Sequence, residues 1–394
     1  MKEIHSNINI VGGGLVGAFV AYSLAKIGFK ITIIEKKEAY HNNEYLDHRT
    51  VAISEGTKRF LDKINLWEEI NKYAQPIKKI KIIDRKISNY LEFDNMRRKS
   101  NLGYIVKNKH LLNLVYKQLK TQKNIRIFNK AKIISFEKNI ETIKINLTDA
   151  SIVSNLNIAA DGKNSFVKQY YKTPYFIKDY KKTAFVVIFT HLLDHKNTAY
   201  EFFYKNGPLA ILPMQSINGN FASSIVWTNE RKYLNSISNL NNEKIISILN
   251  NYSQLAVGNI KHILSKQTFP LTAHLNTSFY HERTIYVGDA AHSFHPIAGQ
   301  GWNLGLRDIG KLHALTKKYK NLGLDIGTER FCKLYHNDCY YDSYRLFQIT
   351  DKLNSIFMSE SKILSSFRNL GFGIINKRDN LKNKITNFAM GLNL

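Results

Sequence analysis

Residues 8–35 read INIVGGGLVGAFVAYSLAKIGFKITIIE, and this stretch decides the fold. A short apolar strand over residues 8–11 runs directly into glycines. A helical pattern follows from Leu15 to Ile27, and Gly28 ends it as a C-terminal cap. Residues 31–34 then form a second apolar strand. A strand, a helix and a strand of this length close as a right-handed parallel crossover, so the segment predicts the first unit of an α/β domain.

Gly12, Gly14 and Gly17 make the G-x-G-x-x-G pattern of a dinucleotide site. The first glycine permits a tight turn, the second lets the backbone approach a pyrophosphate, and the third lets the helix pack closely on the strand. The free N–H groups that begin the helix then face the phosphates. Glu35 ends the next strand, where a carboxylate can accept hydrogen bonds from both ribose hydroxyls and disfavours the 2′-phosphate of NADP. The alternative is a generic glycine turn with a surface glutamate.

The remaining sequence predicts two further regions. Two segments are rich in β-branched and aromatic residues without a long helical pattern between them, which indicates an antiparallel sheet. Helical periodicity dominates from about residue 303 to the C-terminus. We therefore predict an α/β fold in which a Rossmann-like domain carries an inserted, mainly antiparallel β-sheet substrate domain and a helical C-terminal region. The expected ranges are 1–75, 103–170 and 275–320 for the dinucleotide-binding domain, 76–102 and 171–274 for the substrate domain, and 321–394 for the C-terminal helices.

The charge of the chain is unusual for a globular protein of this composition. Its 394 residues include 57 lysines and arginines against 31 acidic residues, a formal net charge of +26. Nucleic-acid binding is not expected, because no recognisable module accompanies the charge. Two interpretations stay open: attraction to an anionic membrane surface, or a compositional bias spread over solvated faces. The sequence has no run of eighteen apolar residues that predicts a spanning helix, and no stretch typical of a signal peptide.

Cys332 and Cys339 are too few for a disulfide framework. On one helix their spacing of seven separates them by roughly 10 Å, which is too far to bridge. We therefore expect a reducing, cytoplasmic setting. No histidine and cysteine cluster has metal-ligand spacing, so no metal site is predicted.

The most specific stretch is RTIYVGDAAHSFHPIAGQGWNLGLRD, residues 283–308. Gly288 follows an apolar strand, at a point where a cofactor can approach the backbone. Pro296 and the small residues after it predict a stiff, close-packed loop. Residues 299–301, Gly-Gln-Gly, then open a helix from about Asn303. The positive end of that helix would face developing negative charge.

This stretch resembles the signature of the UbiH/UbiF/VisC family of ubiquinone-biosynthesis hydroxylases, which are FAD-dependent class A flavoprotein monooxygenases. Residues 47–49, Asp-His-Arg, the Asp161-Gly162 motif and residues 201–203, Glu-Phe-Phe, also resemble that family. The resemblance implies tightly bound FAD, O2 as co-substrate, and NAD(P)H or another electron donor. It also implies a polyprenyl phenol intermediate of ubiquinone biosynthesis as substrate. Lys168 departs from the family, which has arginine there; lysine keeps the charge but lacks the planar fork.

The predicted site combines the resemblance with local chemistry. Arg49 is expected by the flavin or its phosphates, and Asp289 is placed to accept a hydrogen bond from a ribityl hydroxyl. The full set of expected cofactor-binding residues is Gly12, Gly14, Gly17, Glu35, Arg49, Asp161, Gly288, Asp289, Pro296, Gly299, Gln300, Gly301 and Asn303. The expected catalytic residues are His295, Pro296 and Gly299; His292 and His295 suit either acid–base catalysis or a hydrogen-bonded scaffold. The expected substrate-pocket residues are Tyr200, Phe202, Leu212, Pro213 and Trp227, although aromatic residues at strand spacing are often core.

These residues lead to a hypothesis of aromatic-ring hydroxylation. Oxygen adds at C4a of the reduced flavin to give a hydroperoxide, which attacks an electron-rich phenol. The alternatives are an FAD-dependent dehydrogenase, a hydroxylase of another phenol, and a non-catalytic flavoprotein scaffold in a quinone-synthesis assembly. Such an enzyme could associate with other ubiquinone-biosynthesis proteins, or peripherally with the inner face of the membrane. An apolar helical stripe could bind lipid or dock on the protein core: Leu381, Ile385, Phe388 and Leu392.

Overall fold

The computed structural model describes residues 2–38, 49–84, 90–94, 100–294, 299–358 and 361–392. The expectations for His295 and Pro296 therefore lie outside the described residues. The helices are α1 (Leu15–Ala25), α2 (Glu55–Lys63), α3 (Trp67–Asn71), α4 (Asn108–Lys120), α5 (Phe166–Tyr170), α6 (Arg231–Ser238), α7 (Asn242–Val257), α8 (Gln300–Asn321), α9 (Glu329–Met358), α10 (Lys362–Lys377) and α11 (Asp379–Ala389).

The strands follow the same chain order. They are β1 (Lys2–His5), β2 (Ile8–Val11), β3 (Ile31–Ile34), β4 (Thr50–Ser54), β5 (Gln75–Ile77), β6 (Lys79–Asp84), β7 (Tyr90–Asp94), β8 (Gly103–Lys107), β9 (Ile125–Phe128), β10 (Ile133–Lys138), β11 (Ile143–Leu147), β12 (Ala150–Ser154), β13 (Leu156–Ala159), β14 (Tyr175–His191), β15 (Thr198–Tyr204), β16 (Gly207–Ile217), β17 (Asn220–Glu230), β18 (Ile260–Asn276), β19 (Tyr280–His281), β20 (Thr284–Tyr286) and β21 (His292–Ser293).

A mainly parallel sheet with the order β19-β20-β13-β2-β3-β9 forms the nucleotide-binding half of the molecule. β2 pairs in parallel with both β3 and β13, and α1 makes the crossover between β2 and β3. The two predicted strands are confirmed, whereas α1 ends at Ala25 rather than Ile27. Residues from Gly17 to Ala25 are buried on every side, because α1 lies between α4 and α8 as well as on the sheet.

An eight-stranded sheet with the order β21-β18-β14-β17-β16-β15-β6-β7 forms the second half. Its pairs are antiparallel except β15 with β6, so the predicted α/β fold with a mainly antiparallel second sheet is confirmed. β5 does not join the large sheet but pairs with β8 in a small sheet of order β4-β8-β5. β21 pairs with β18 at the edge of the large sheet. A four-stranded sheet of order β1-β12-β11-β10 completes the fold. The division of the chain into domains stays a prediction.

The large sheet has two differently covered faces, which we call outer and inner. On the outer face, side chains such as Phe185, Phe202 and Trp227 pack in one apolar cluster with residues of α6 and α7. On the inner face, Ile188 and Met214 belong to a second cluster that contains residues of β5, β8, α10 and α11. The inner face therefore looks towards the small sheet and the C-terminal helices.

The C-terminal helices pack against this inner cluster. Phe357 of α9 stacks on Phe203 at 3.8 Å between ring centroids, and Nε of Arg368 lies 2.6 Å from Oδ2 of Asp84. Two residues of the predicted C-terminal apolar stripe, Ile385 and Leu392, pack against the inner cluster. For these two residues the stripe docks on the protein core. Among the described residues, no helix is both long and apolar enough to cross a membrane.

Candidate cofactor and substrate site

The glycine turn after β2 is closely packed on one side and open on the other. Gly12 has φ +103°, and a Cβ there would lie 2.5 Å from the carbonyl oxygen of Ala160. A Cβ on Gly17 would lie 1.9 Å from the carbonyl oxygen of Gly12, so α1 touches the turn backbone to backbone. A Cβ on Gly14 would meet nothing within 4 Å. The open side of the turn is therefore at Gly14, where a phosphate needs access to the backbone.

Two side chains hold this turn in place. The backbone N–H of Gly13 donates to Oε2 of Glu35 at 2.5 Å, which puts the carboxylate at the end of β3 beside the turn. The hydroxyl of Tyr116, on α4, donates to the carbonyl oxygen of Gly13 at 2.7 Å. Tyr116 could not be predicted from the sequence, because a tyrosine on the apolar face of a helix gives no signal that its hydroxyl reaches a distant loop.

Asp161 follows β13 and lies directly against the same turn, with its Cα 2.7 Å from the position that a Cβ on Gly12 would take. Its Oδ2 accepts the backbone N–H of Val167 at 3.2 Å. Its Oδ1 is buried and has no hydrogen-bond partner among the described residues. Burial raises the pKa of this carboxyl above its ordinary value. A buried acceptor without a donor beside a nucleotide turn suits a ligand hydroxyl group.

Two glycines of the 283–308 stretch, Gly288 and Gly305, lie against the start of α1, next to the N-terminal glycine turn. Gly288 has φ +59°, and a Cβ on it would lie 2.9 Å from Cγ2 of Val16, near the start of α1. A Cβ on Gly305 of α8 would lie 3.7 Å from Cα of Gly288. The structure therefore brings the N-terminal glycine turn and the 283–308 stretch together around Val16.

Asp289 lies beside this junction with an exposed side chain. The surrounding protein desolvates the carboxyl and raises its pKa, while His292, Arg49 and Lys163 act in the opposite direction. The exposed side chain of Asp289 and the open side of the turn at Gly14 flank this junction, which we call the cleft. This position suits an acceptor for hydroxyl groups of a ligand in the cleft.

Helix α8 begins at Gln300, three residues before the predicted start at Asn303. Gly299 adopts a left-handed conformation, with φ +61° and ψ +28°, and starts the helix directly. The glycines at 299 and 301 lower helix propensity, which is why the pattern predicted a later start. Among the residues that the structure describes, none caps α1 or α8 with its side chain, and neither helix has an acidic residue in its first turn. Both helices therefore present free N–H groups and a positive dipole end to an anion.

Asn303 ties the first turn of α8 to β4 and α2. Its Oδ1 accepts the backbone N–H of Ser54 at 2.9 Å and the hydroxyl of Thr57 at 2.8 Å. Its Nδ2 donates to the carbonyl oxygens of Ala52 at 2.9 Å and Gly299 at 3.1 Å. These four bonds use the full capacity of the amide, so the side chain positions the α8 terminus and has no polar atom left for a cofactor.

His292 is part of the scaffold under this cleft. Its Nε2 lies 2.7 Å from Oδ2 of Asp308, and both side chains are 1% exposed. The same carboxylate oxygen accepts the backbone N–H of Gly288 at 3.2 Å. The structure thus favours the scaffold interpretation for His292, and it adds Asp308, which the sequence analysis did not assign.

The predicted substrate-pocket residues fall on two faces of the large sheet. Phe202 and Trp227 are buried in the outer-face cluster under α6 and α7, and Tyr200 packs against this cluster partly buried. Phe202 and Trp227 are therefore core residues, whereas the pocket assignment of Tyr200 stays a prediction. Pro213 is buried on the same face, opposite Ser223. Leu212 is on the inner face and packs against the inner cluster. Successive side chains of a strand point to opposite faces of the sheet, so the sequence shows which residues share a face. It does not show which of the two faces looks towards the cofactor.

One row of inner-face residues is only partly buried although it crosses the central strands. The row crosses β14, β17, β16 and β15, and its members are successive cross-strand neighbours: Val186, Val226, Ala210 and Glu201. Each of these side chains keeps some accessible surface. We call these four residues the open row. In the adjacent rows the residues on the same four strands are buried, apart from Leu212. The open row therefore marks a gap between the sheet and the elements that cover it.

The β4 segment lies on the inner side of the large sheet. On one side, Cζ of Arg49 lies 5.0 Å from the ring centroid of Phe269, in the neighbouring row. On the other side, Ala52 packs against the inner cluster, as Leu212 does. The carbonyl oxygen of Ala52 accepts the bond from Asn303 described above. The β4 segment, which adjoins the N-terminus of α8, therefore lies on the side of the large sheet that the open row faces.

A sequence profile for the FAD-binding domain family matches residues 5–321. The chain belongs to this FAD-binding family. It is 30% identical over 389 residues to ubiquinone hydroxylase UbiL of Rhodospirillum rubrum, covering 98% of this chain and 90% of that protein. It is 26% identical over 397 residues to the 3-demethoxyubiquinol 3-hydroxylase of Escherichia coli K12, covering 100% of both.

The fold is also that of a solved monooxygenase. The crystal structure of p-nitrophenol 4-monooxygenase PnpA from Pseudomonas putida DLL-E4 is similar with a TM-score of 0.80 at 16% identity, over 100% of this chain and 99% of that one. The protein is an FAD-dependent monooxygenase, with O2 as co-substrate and NAD(P)H or another electron donor.

The described residues fit FAD. The turn is open at Gly14, and Oδ1 of Asp161 is a buried acceptor without a described partner. The two helices that begin at glycines leave their first N–H groups uncapped. A Cβ on Gly301 would meet nothing within 4 Å, so the start of α8 is open as well. When bound, FAD supplies the redox chemistry that activates O2.

Proposed function

We propose that this monooxygenase hydroxylates the aromatic ring of a polyprenyl phenol intermediate of ubiquinone biosynthesis. The open row carries the proposal: it is a partly accessible stretch of an apolar sheet face, on the side of the sheet where Arg49 and Ala52 of the β4 segment also lie. Two valines and an alanine of this row suit an aromatic ring. The relatives named ubiquinone hydroxylase and 3-demethoxyubiquinol 3-hydroxylase act on substrates of this class.

Within this function, each part of the cleft has a proposed role toward FAD. The turn at Gly12 and Gly14 and the first N–H groups of α1 bind the pyrophosphate, and Gly17 holds α1 against the turn. Glu35 accepts ribose hydroxyls, while Asp161 and Asp289 accept other hydroxyls of the cofactor. Gly288 gives the cofactor room at the backbone, and Arg49 faces the flavin or its phosphates. The N–H groups at Gly299, Gln300 and Gly301 face negative charge on the reduced flavin, and Asn303 holds them in position.

The test is a rescue experiment with a lipid readout. Bacterial strains that each lack one ring-hydroxylation step receive the wild-type gene, Ala210→Phe or Ala210→Ser, and mass spectrometry identifies their quinones. We expect wild type and Ala210→Ser to restore ubiquinone in at least one strain. Ala210→Phe fills the gap at the centre of the open row, so we expect it to bind FAD but restore little ubiquinone.

The outcomes separate the proposal from its alternatives. Isotopically heavy oxygen from O2 should appear in the ring of the product, whereas a dehydrogenase would insert none. Absence of rescue in every strain by a wild-type protein that carries FAD would contradict the polyprenyl phenol as substrate. Equal rescue by Ala210→Phe and Ala210→Ser would contradict the position of the ring over the open row.

We also propose that the C-terminal helices contact an anionic membrane, from which a polyprenyl substrate would be taken. Leu370 and Ile374 lie one turn apart on α10, with 63% and 50% of their surfaces exposed, and Lys377 and Arg378 follow them exposed. Apolar and basic side chains side by side suit an anionic lipid surface. Leu381 of α11 adds an exposed apolar side chain.

Vesicle co-sedimentation measures this contact. We expect wild type to sediment with phosphatidylglycerol vesicles, and the double variant Leu370→Ser, Ile374→Ser to bind at least several-fold less. Leu322→Ser with Leu324→Ser is the matched control, because these two leucines are as exposed but follow α8. Equal binding by both double variants would contradict a membrane contact at α10.

A further inference from the structure

Glu201 is the one acidic member of the open row. It lies on β15, opposite Ala210 of β16 and Ile82 of β6, while the flanking Tyr200 and Phe202 point into the outer core. Ala199 and Phe203, two residues away in each direction, share its face and are buried. The sheet therefore fixes the carboxyl on the inner face, at the gap.

The carboxyl of Glu201 has apolar surroundings and no partner. Among the described residues, none forms a hydrogen bond or an ion pair with it. Other acids of this part of the sheet are paired: Glu92 lies 3.6 Å from Nζ of Lys81, and Asp84 lies against Arg368. Desolvation raises the pKa of Glu201 to about 7. An unpaired carboxyl in an apolar gap costs stability, which is expected where the group acts on a ligand.

We propose that Glu201 accepts the hydroxyl proton of the phenol that occupies the open row. This inference rests on the proposed function and assigns a catalytic residue within it. The O–H bond of the phenol breaks, its electron pair stays on oxygen, and the proton goes to the carboxylate. The phenolate carries more electron density at its ring carbons, so the ring reacts faster with an electrophilic oxygen. The proton on Glu201 returns to water when product leaves.

Within the described part of the chain, few charged groups face Glu201 from the elements around it. On β6 the nearest on the inner face is Asp84, which is held by Arg368 of α10. From β4, Arg49 lies over Phe269. On β8, Lys107 shares the face of Ile105, and burial lowers its pKa. None of these charges shifts the pKa of Glu201, whose rise has desolvation as its cause.

The test compares Glu201→Gln with Glu201→Asp and with the matched control Glu230→Gln, which changes an exposed glutamate at the end of β17. The FAD-loaded enzymes hydroxylate a geranyl phenol, and kcat/KM is measured across pH. The carboxylate form is needed, so wild type and Glu230→Gln should lose activity as the pH falls below about 7. Glu201→Gln should be about a hundredfold slower or worse, without that acidic limb. Glu201→Asp should keep the loss of activity at low pH, with a lower kcat/KM at every pH.

A second readout reports the contact between the carboxylate and the phenol. The Kd of the geranyl phenol is measured for the oxidised enzyme without an electron donor, at a pH above 7 and at a pH below 7. Wild type should bind the phenol more tightly at the higher pH, where the carboxylate accepts its hydroxyl, and Glu201→Gln should show no such difference. Glu201→Gln also removes a desolvated charge, so its melting temperature at the higher pH should equal or exceed that of wild type.

The outcomes distinguish this inference from the proposed function. If wild type hydroxylates the phenol and Glu201→Gln does so with the same rate and the same pH profile, the role of Glu201 is overturned and the function stands. If wild type binds the phenol more tightly at the higher pH and Glu201→Gln does not, but no oxygen is inserted, the contact of Glu201 with the phenol stands and ring hydroxylation is overturned. If wild type binds the phenol equally at both pH values, that contact is overturned.

Discussion

Replacing Gly17 with alanine should destabilise the protein strongly, whereas the same change at Gly14 should leave its stability intact. A Cβ on Gly17 would lie 1.9 Å from the carbonyl oxygen of Gly12, which is a backbone atom and cannot move aside as a flexible side chain would. We expect a loss of about 3 kcal/mol in the free energy of unfolding, the upper end of typical overpacking. Alanine gains about 1 kcal/mol from helix propensity, which does not offset the clash. Denaturant unfolding of the apoprotein measures the difference.

Gly14→Ala is the matched control for stability and the test for the cofactor. Nothing lies within 4 Å of the added Cβ, and the backbone of Gly14, with φ −66° and ψ −174°, suits any residue. The methyl group stands on the open side of the turn, so we expect the Kd for FAD to rise about tenfold, a cost of about 1.4 kcal/mol. Fluorescence titration with FAD measures it. Unchanged FAD affinity in Gly14→Ala would contradict the placement of the pyrophosphate there.

The crossover over residues 8–35 was predictable because its determinants are local. Each glycine determines the backbone conformation at its own position, whatever lies far away in the sequence. The apolar runs at 8–11 and 31–34 are buried on both faces of a parallel sheet. The carboxylate of Glu35 was likewise predictable from the strand that it ends. The sequence resemblance over residues 283–308 supplied the class of cofactor, which local patterns alone leave open.

The substrate side was less predictable because it depends on which sheet face meets which element. Alternation shows that Glu201 and Phe202 point to opposite faces, but only the packing of α6 and α7 shows that Phe202 is core. The open row is likewise a property of the covering elements, since its valines and alanine resemble any buried strand. Tyr116 and Asp308 act over long sequence separations, which no local pattern reports.

Replacing Asn303 with alanine should reduce both stability and coupled hydroxylation. The change removes the acceptor of two buried donors, the N–H of Ser54 and the hydroxyl of Thr57, and the donor to the part-buried carbonyl oxygens of Ala52 and Gly299. We expect the free energy of unfolding to fall by about 3–5 kcal/mol, because each unsatisfied buried group costs about 1–3 kcal/mol and neighbours relax in part. Thermal and denaturant unfolding measure this loss.

The functional effect follows from the position of the α8 terminus. Without the amide, the first turn of α8 is no longer tied to β4, so the N–H groups at residues 299–301 move relative to the open row. A displacement of this kind costs about a hundredfold in rate. We therefore expect less hydroxylated product and more hydrogen peroxide for each electron donor consumed, with FAD still bound through the N-terminal turn.

Asn321→Ala is the matched control, since Asn321 is exposed at the other end of the same helix. It should change neither stability nor the ratio of product to peroxide. Asn303→Asp keeps the two acceptor bonds to Ser54 and Thr57 but loses both donated bonds, so it should fall between wild type and Asn303→Ala in stability. The contrary result would be Asn303→Ala with the same stability and the same ratio of product to peroxide as Asn321→Ala. In that case the position of the α8 terminus would not determine the geometry of the site, and its free N–H groups would not act on the flavin.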